Sequence, residues 1–130
     1  MTKLVADTNI ILRFLLKDNL DQFNTAREIL IKVKEDKLEL AIPQIVMFEI
    51  IYSLDKYYGF PKEKIIDALS TIIGTKNIKI QDQSAFKRAL TLFGDNNLSF
   101  VDCFLIAYSE ENDAKLFTFD KDSQKKLIKN

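Results

Sequence analysis

An α/β domain layered around a central, mostly parallel sheet is what this sequence predicts, on three observations. Short apolar runs of strand length alternate along the chain with longer segments of helical periodicity. Glycine and proline number only three and two, which predicts short connections. No internal repeat, low-complexity tract or linker interrupts the 130 residues, so residues 1–130 are expected to form a single domain with a core of useful size.

The elements follow in order. Lys3-Leu4-Val5-Ala6 reads as a buried strand ending at Asp7, and Thr8 to Leu16 as a helix. Asp21 to Glu35 is a second helix, with Ala26, Ile29, Leu30 and Val33 on one side. Leu38 to Ile42 is the second strand. Pro43 then suits the first turn of a long helix reaching Tyr58, and Gly59 ends it. Pro61 opens a helix to Ile73 that Gly74 stops, and Asn77 to Ile80 is the third strand. Asp82 is expected to cap a helix through Phe93, and Ser99 one spanning Phe100 to Glu111. Lys115 to Phe119 reads as a fourth strand, and Asp120 opens a short closing helix. The expected architecture is three-layer α/β/α, with a sheet of four strands, or five.

Composition narrows the chemistry. The sequence has no histidine, which excludes a His general base, a Ser-His-Asp triad and a typical zinc site. Cys103 is the one cysteine, so no internal disulfide can form, which suits a reducing cytoplasm. No apolar stretch near the start is long enough for a signal peptide or a membrane span. With 19 basic and 19 acidic residues the net charge is zero, so affinity for nucleic acid must come from local patches. The lysine groups around Lys32-Lys34-Lys37, Lys62-Lys64, Lys87-Arg88 and Lys125-Lys126-Lys129 read as solvated faces.

Four acids stand in apolar company: Asp7, Glu49, Asp102 and Asp120. A buried lone carboxylate costs several kcal/mol after relaxation, so each would need a cation, a donor or a proton. Singly, each has an ordinary explanation as a helix cap or a solvated edge. Together they are better placed than chance. Asp7 and Asp120 both end predicted strands, and Glu49 and Asp102 lie near the starts of helices, where a parallel sheet gathers ligands. Hard oxygen donors without His or Cys suit Mg2+ or Mn2+, and phosphodiester chemistry is the usual work of such carboxylate sets. Thr8, Asn9 and Thr118 are uncharged groups beside these acids, suited to orienting carboxylates or water, with capping and turn formation as their ordinary roles. Arg13, one turn beyond Asn9, is the cation best placed to meet a phosphate or a partner.

These segments resemble the PIN-domain family, and in particular its VapC-type toxins. Val5-Ala6-Asp7-Thr8-Asn9-Ile10-Ile11-Leu12-Arg13 is similar to the family's opening motif, and Pro43 to Glu49 to the helix bearing its second acid. Phe100-Val101-Asp102-Cys103-Phe104-Leu105-Ile106-Ala107 resembles the third motif and Thr118-Phe119-Asp120-Lys121-Asp122 the fourth. The resemblance implies that Asp7, Glu49, Asp102 and Asp120 are catalytic, metal-binding acids of an endoribonuclease that cuts RNA with metal-activated water. It also implies an antitoxin protein as partner and a homodimer. Family members commonly place a further strand after the fourth motif, where this chain has only Ser123 to Asn130. Asp122 could serve as an auxiliary acid, although a solvated residue beside Lys121 is the simpler reading.

Other classes fit less well. A receiver domain needs an adjacent acidic pair after its first strand, and here Asp7 is followed by Thr8. A haloacid-dehalogenase-like phosphatase needs an aspartate where Asn9 stands. An RNA-processing nuclease without antitoxin, and a non-catalytic binding module of the same fold, remain as alternatives. The apolar content of the helix carrying Glu49 exceeds what one buried face requires, leaving part of it for a neighbouring helix or a partner chain.

Overall fold

The computed structural model describes residues 1–124, and they make a mixed α/β structure with an all-parallel sheet. Two compact units partition the chain, Met1–Gln81 and a second beginning at Asp82. The first holds the sheet, in the order β1 (Thr2–Val5), β2 (Leu38–Ile42), β3 (Ile78–Ile80). Leu4 lies opposite Leu40, and Leu40 and Ile42 lie opposite Ile78 and Ile80. Strict alternation explains the register on β3: Ile78 and Ile80 are buried while Lys79 between them is exposed, so a one-residue slip would bury the lysine.

Helices α1 (Thr8–Leu16) and α2 (Leu20–Lys34) connect β1 to β2. Asn19 rather than Asp21 starts α2, its side chain accepting the Gln22 N–H at 3.0 Å. Lys17, in the left-handed region at φ 54°, closes α1 by donating its N–H to Arg13. Helix α3 (Gln44–Tyr52) runs on into a π turn at Ser53–Tyr57, and α4 (Lys62–Ile73) leads to β3. In that turn the Tyr58 N–H reaches five residues back, to the Ser53 carbonyl at 3.1 Å. Gly59, at φ 61°, then redirects the chain where a side chain would be strained. Met47, Ile50, Leu54, Ile65 and Leu69 are almost wholly buried, each worth about 1.5–3 kcal/mol of burial.

A polar staple joins the end of α2 to the start of β3. The Asn77 amide donates to the Val33 carbonyl at 3.0 Å and to Asp36 at 2.7 Å, and Lys76 pairs with Asp36 at 3.0 Å. Asp36 and Asn77 both take left-handed backbone, at φ 64° and 68°, which Asp and Asn tolerate better than most residues. The Asn77 and Lys76 contacts hold the Asp36 carboxyl below its ordinary value. A depressed folded-state pKa gives stability that is complete above the unfolded value, about 3.9, and fades as pH falls through the lower folded value. In urea unfolding, Asp36→Asn should therefore be less stable than the native chain at pH 7, with the gap closing below about pH 3.

The second unit pairs α5 (Gln83–Asp95) with α6 (Phe100–Glu111). Phe86 sits at its centre, 4.7 Å from the Phe104 ring and 5.9 Å from that of Phe100, with Phe93 edge-on to Phe100 at 5.6 Å. Asp82 precedes α5 in the left-handed region and does not cap it with its side chain, contrary to expectation. Ser99 does cap α6, accepting the Asp102 N–H at 3.2 Å.

The expected fourth strand does not form: three strands are present among the described residues, and Lys115 to Phe119 pairs with none of them. Local hydrogen bonds explain the difference. Thr118 Oγ1 accepts the Asp120 N–H at 3.0 Å, and the Thr118 carbonyl accepts Gln124 Nε2 at 2.6 Å. These bonds curl the chain into a helical turn at 121–124 in place of a ladder. Phe117 and Phe119, both 89% exposed, pack on each other at 5.8 Å. The lysine group at Lys125 and the strand expected beyond the fourth motif lie outside the described residues.

Candidate active site

In the first unit the sheet places Asp7. The ladder ends with the Ala6 N–H donating to Ala41 at 2.9 Å, so Asp7 follows at the carboxyl edge of β1. There it caps α1, one carboxylate oxygen accepting the Ile10 N–H at 3.0 Å. A negative charge at this end of a helix is favoured by the helix dipole. The next residue, Thr8, donates its hydroxyl to Glu49 Oε2 at 2.6 Å, a charge-assisted bond that ties the second acid to the same helix terminus. Glu49 comes from α3, which starts at the carboxyl end of β2, so two sheet-edge helices converge on one small region.

Asp7 and Glu49 are both exposed, and Asp102 and Asp120 half-buried, which corrects the expectation that apolar neighbours would bury them. On a helix, residues adjacent in sequence point about 100° apart. Ile11 and Leu12 beside Asp7, and Ile50 and Ile51 beside Glu49, turn inward and leave the acids on the open side.

Arg13 is held from two directions. One guanidinium nitrogen pairs with Asp18 at 3.0 Å and another donates to the Tyr58 hydroxyl at 3.2 Å. Its Nε is buried without an acceptor among the described residues. Sequence reasoning found Arg13 but missed Tyr58 and Asp18, since the π turn that brings Tyr58 round has no periodic signature. Asp7, Asn9 and Arg13 of α1 face Asp21 and Gln22 of α2 across a cleft of about 420 Å³ floored by Ile10.

In the second unit, Asp102 occupies the first turn of α6. Asp120 opens the helical turn after it, one carboxylate oxygen accepting the Asp122 N–H at 2.9 Å and the Ser123 N–H at 3.3 Å. The Ser123 and Asp122 N–H groups, with a side-chain hydrogen bond to Asp102, hold the Asp120 carboxyl below the usual range. Two carboxyls within hydrogen-bonding reach repel when both ionise, and a cation would relieve that repulsion. Asp122 thus meets Asp120 through its backbone. The Asp-x-Asp-Ser pattern could have signalled this, because a capping aspartate takes N–H groups two and three residues on. Among the described residues no group of three or more Asp, Glu or Cys side chains is arranged to hold a metal ion.

The family model for the PIN domain matches residues 4–129, which include all four acids. The chain belongs to the PIN-domain family. The VapC ribonuclease of Aquifex aeolicus (strain VF5) is 23% identical to this PIN domain over 97 residues, 75% of the chain and 71% of that protein. A solved toxin–antitoxin complex from Klebsiella pneumoniae aligns over 94% of this chain and 89% of its own, at 23% identity and a TM-score of 0.37. No helix among the described residues is long and apolar enough to cross a membrane.

Proposed function

We propose that this PIN domain is a metal-dependent endoribonuclease acting in the cytoplasm as the toxin of a toxin–antitoxin pair, with Asp7, Glu49, Asp102 and Asp120 as its metal-binding acids. The observation that carries the reading is the Thr8–Glu49 bond, which holds a second acid at the helix terminus capped by Asp7. The family supports nuclease chemistry, and the printed name of the Aquifex relative supports RNA as the substrate. An antitoxin and a homodimer rest on the resemblance of the motifs to VapC-type toxins.

The donor set fits Mg2+ or Mn2+: the acids are hard oxygen donors, and His is absent from the chain. Asp7 spends one oxygen on capping and Glu49 one on Thr8, which leaves each an oxygen without a protein hydrogen bond among the described residues. A divalent ion held by these carboxylates supplies Lewis acidity toward a phosphodiester and lowers the pKa of water. The chain itself fixes the carboxylates. Thr8 orients Glu49, the Ile10 N–H orients Asp7, and the Asp122 and Ser123 N–H groups orient Asp120.

The test is cleavage of a mixed set of structured and single-stranded RNAs with Mg2+, Mn2+ or EDTA. Cutting that either ion supports and EDTA stops is the expected result. Absence of cutting with either ion, together with no calorimetric binding of Mg2+ or Mn2+, would overturn the reading in favour of a non-catalytic module.

A further inference from the structure

We infer that the cleft between α1 and α2 is a subsite for a single unpaired guanine base, lying next to the proposed cleavage centre. The inference deepens the nuclease reading and rests on it for the identity of the ligand as RNA. Its volume, about 420 Å³, falls within the range of about 300–1,000 Å³ usual for ligand pockets. Asp7 is part of its wall, so a base seated there belongs to a nucleotide beside the phosphate at the acids.

The lining selects the base. Asp21, Asn9 and Gln22 present side chains to the cleft without a protein hydrogen bond among the described residues, while Ile10 offers an apolar surface to a ring face. An ionised carboxylate only accepts. Of the four RNA bases, guanine alone places two adjacent donors, N1–H and the N2 amine, on its Watson–Crick edge. Adenine, cytosine and uracil each set a lone pair beside a donor there, which a carboxylate repels. The Asn9 and Gln22 amides donate as well as accept, so they can meet the guanine O6 and N7 acceptors. Arg13, locked by Asp18 and Tyr58, keeps a positive charge in the wall. That charge opposes the other chemistry an acid-lined cleft might take, a basic side chain of a peptide.

The subsite can be tested without cleavage and without metal. Amide chemical shifts of the whole chain are followed by NMR in EDTA during titration with guanosine, inosine, adenosine, cytidine, uridine and N-acetylargininamide. Guanosine should shift the amides of Asn9, Gln22 and Thr25 and bind about tenfold more tightly than the others, the scale of one bidentate base contact. Inosine, which lacks the N2 amine, should lose that advantage, and Asp21→Asn should level the nucleosides. Equal affinities for all nucleosides, shifts elsewhere, or binding of N-acetylargininamide alone would overturn the subsite. Guanosine selectivity in a chain that cuts no RNA would sink the nuclease reading and leave the subsite standing.

Discussion

Asp7→Asn is expected to lower the rate of metal-dependent RNA cleavage more than 100-fold while leaving the melting temperature nearly unchanged. Loss of an outer-shell partner of a metal ligand typically costs about 10–100-fold, and loss of the ligand's charge should cost more. The substitution separates two jobs of one side chain. Asn caps helices about as well as Asp and can still accept the Ile10 N–H. What it removes is the charge that a divalent ion requires. Thr8→Val makes the graded comparison, since it deletes only the hydroxyl that orients Glu49, and its loss should fall within about 10–100-fold. Single-turnover rates at saturating Mn2+ measure both. Wild-type cleavage by Asp7→Asn would remove Asp7 from the chemistry.

The largest effect on stability is expected at Phe86. Its side chain is 0% exposed, and it touches Phe104 and Phe100 within the second unit. Truncation to alanine removes the ring contacts and leaves a cavity, which costs about 3–5 kcal/mol in well-packed cores. Against a total stability of about 5–15 kcal/mol that is a large share. Urea unfolding followed by far-UV circular dichroism would measure it. A loss under about 1 kcal/mol would mean that the α5–α6 pair collapses around the gap or contributes little to the cooperative unit.

The sequence made most elements legible because their signals are local. Alternation marked β3, apolar runs marked β1 and β2, and Ser99 marked the start of α6. Lys115 to Phe119 carried the same apolar signal as a strand, but the hydrogen bonds of Thr118 decided its conformation, and no periodicity records those. The acids were found by their company, yet that company was misread. Runs such as Ile10-Ile11-Leu12 look burying when read linearly, whereas a helix distributes them round its axis and leaves Asp7 at an exposed end. The Arg13–Tyr58 contact spans 45 positions and was beyond any local pattern. Thr8, by contrast, could be singled out as a group that orients a carboxylate, although Glu49 could not be named as the one it holds.

The π turn after α3 also makes chain length, as well as residue identity, a determinant of the arginine's position. A π turn carries one residue more than the α-helical path it replaces. Deleting an exposed residue of that turn, such as Lys56, would let α-helical spacing resume and swing all that follows by about 100°. Tyr58 would leave the Arg13 guanidinium, and Asp18 alone would hold it. The turn therefore works as a counting device: a helix anchored by Glu49 at one end delivers a hydroxyl to the α1 arginine only because one extra residue lies between them.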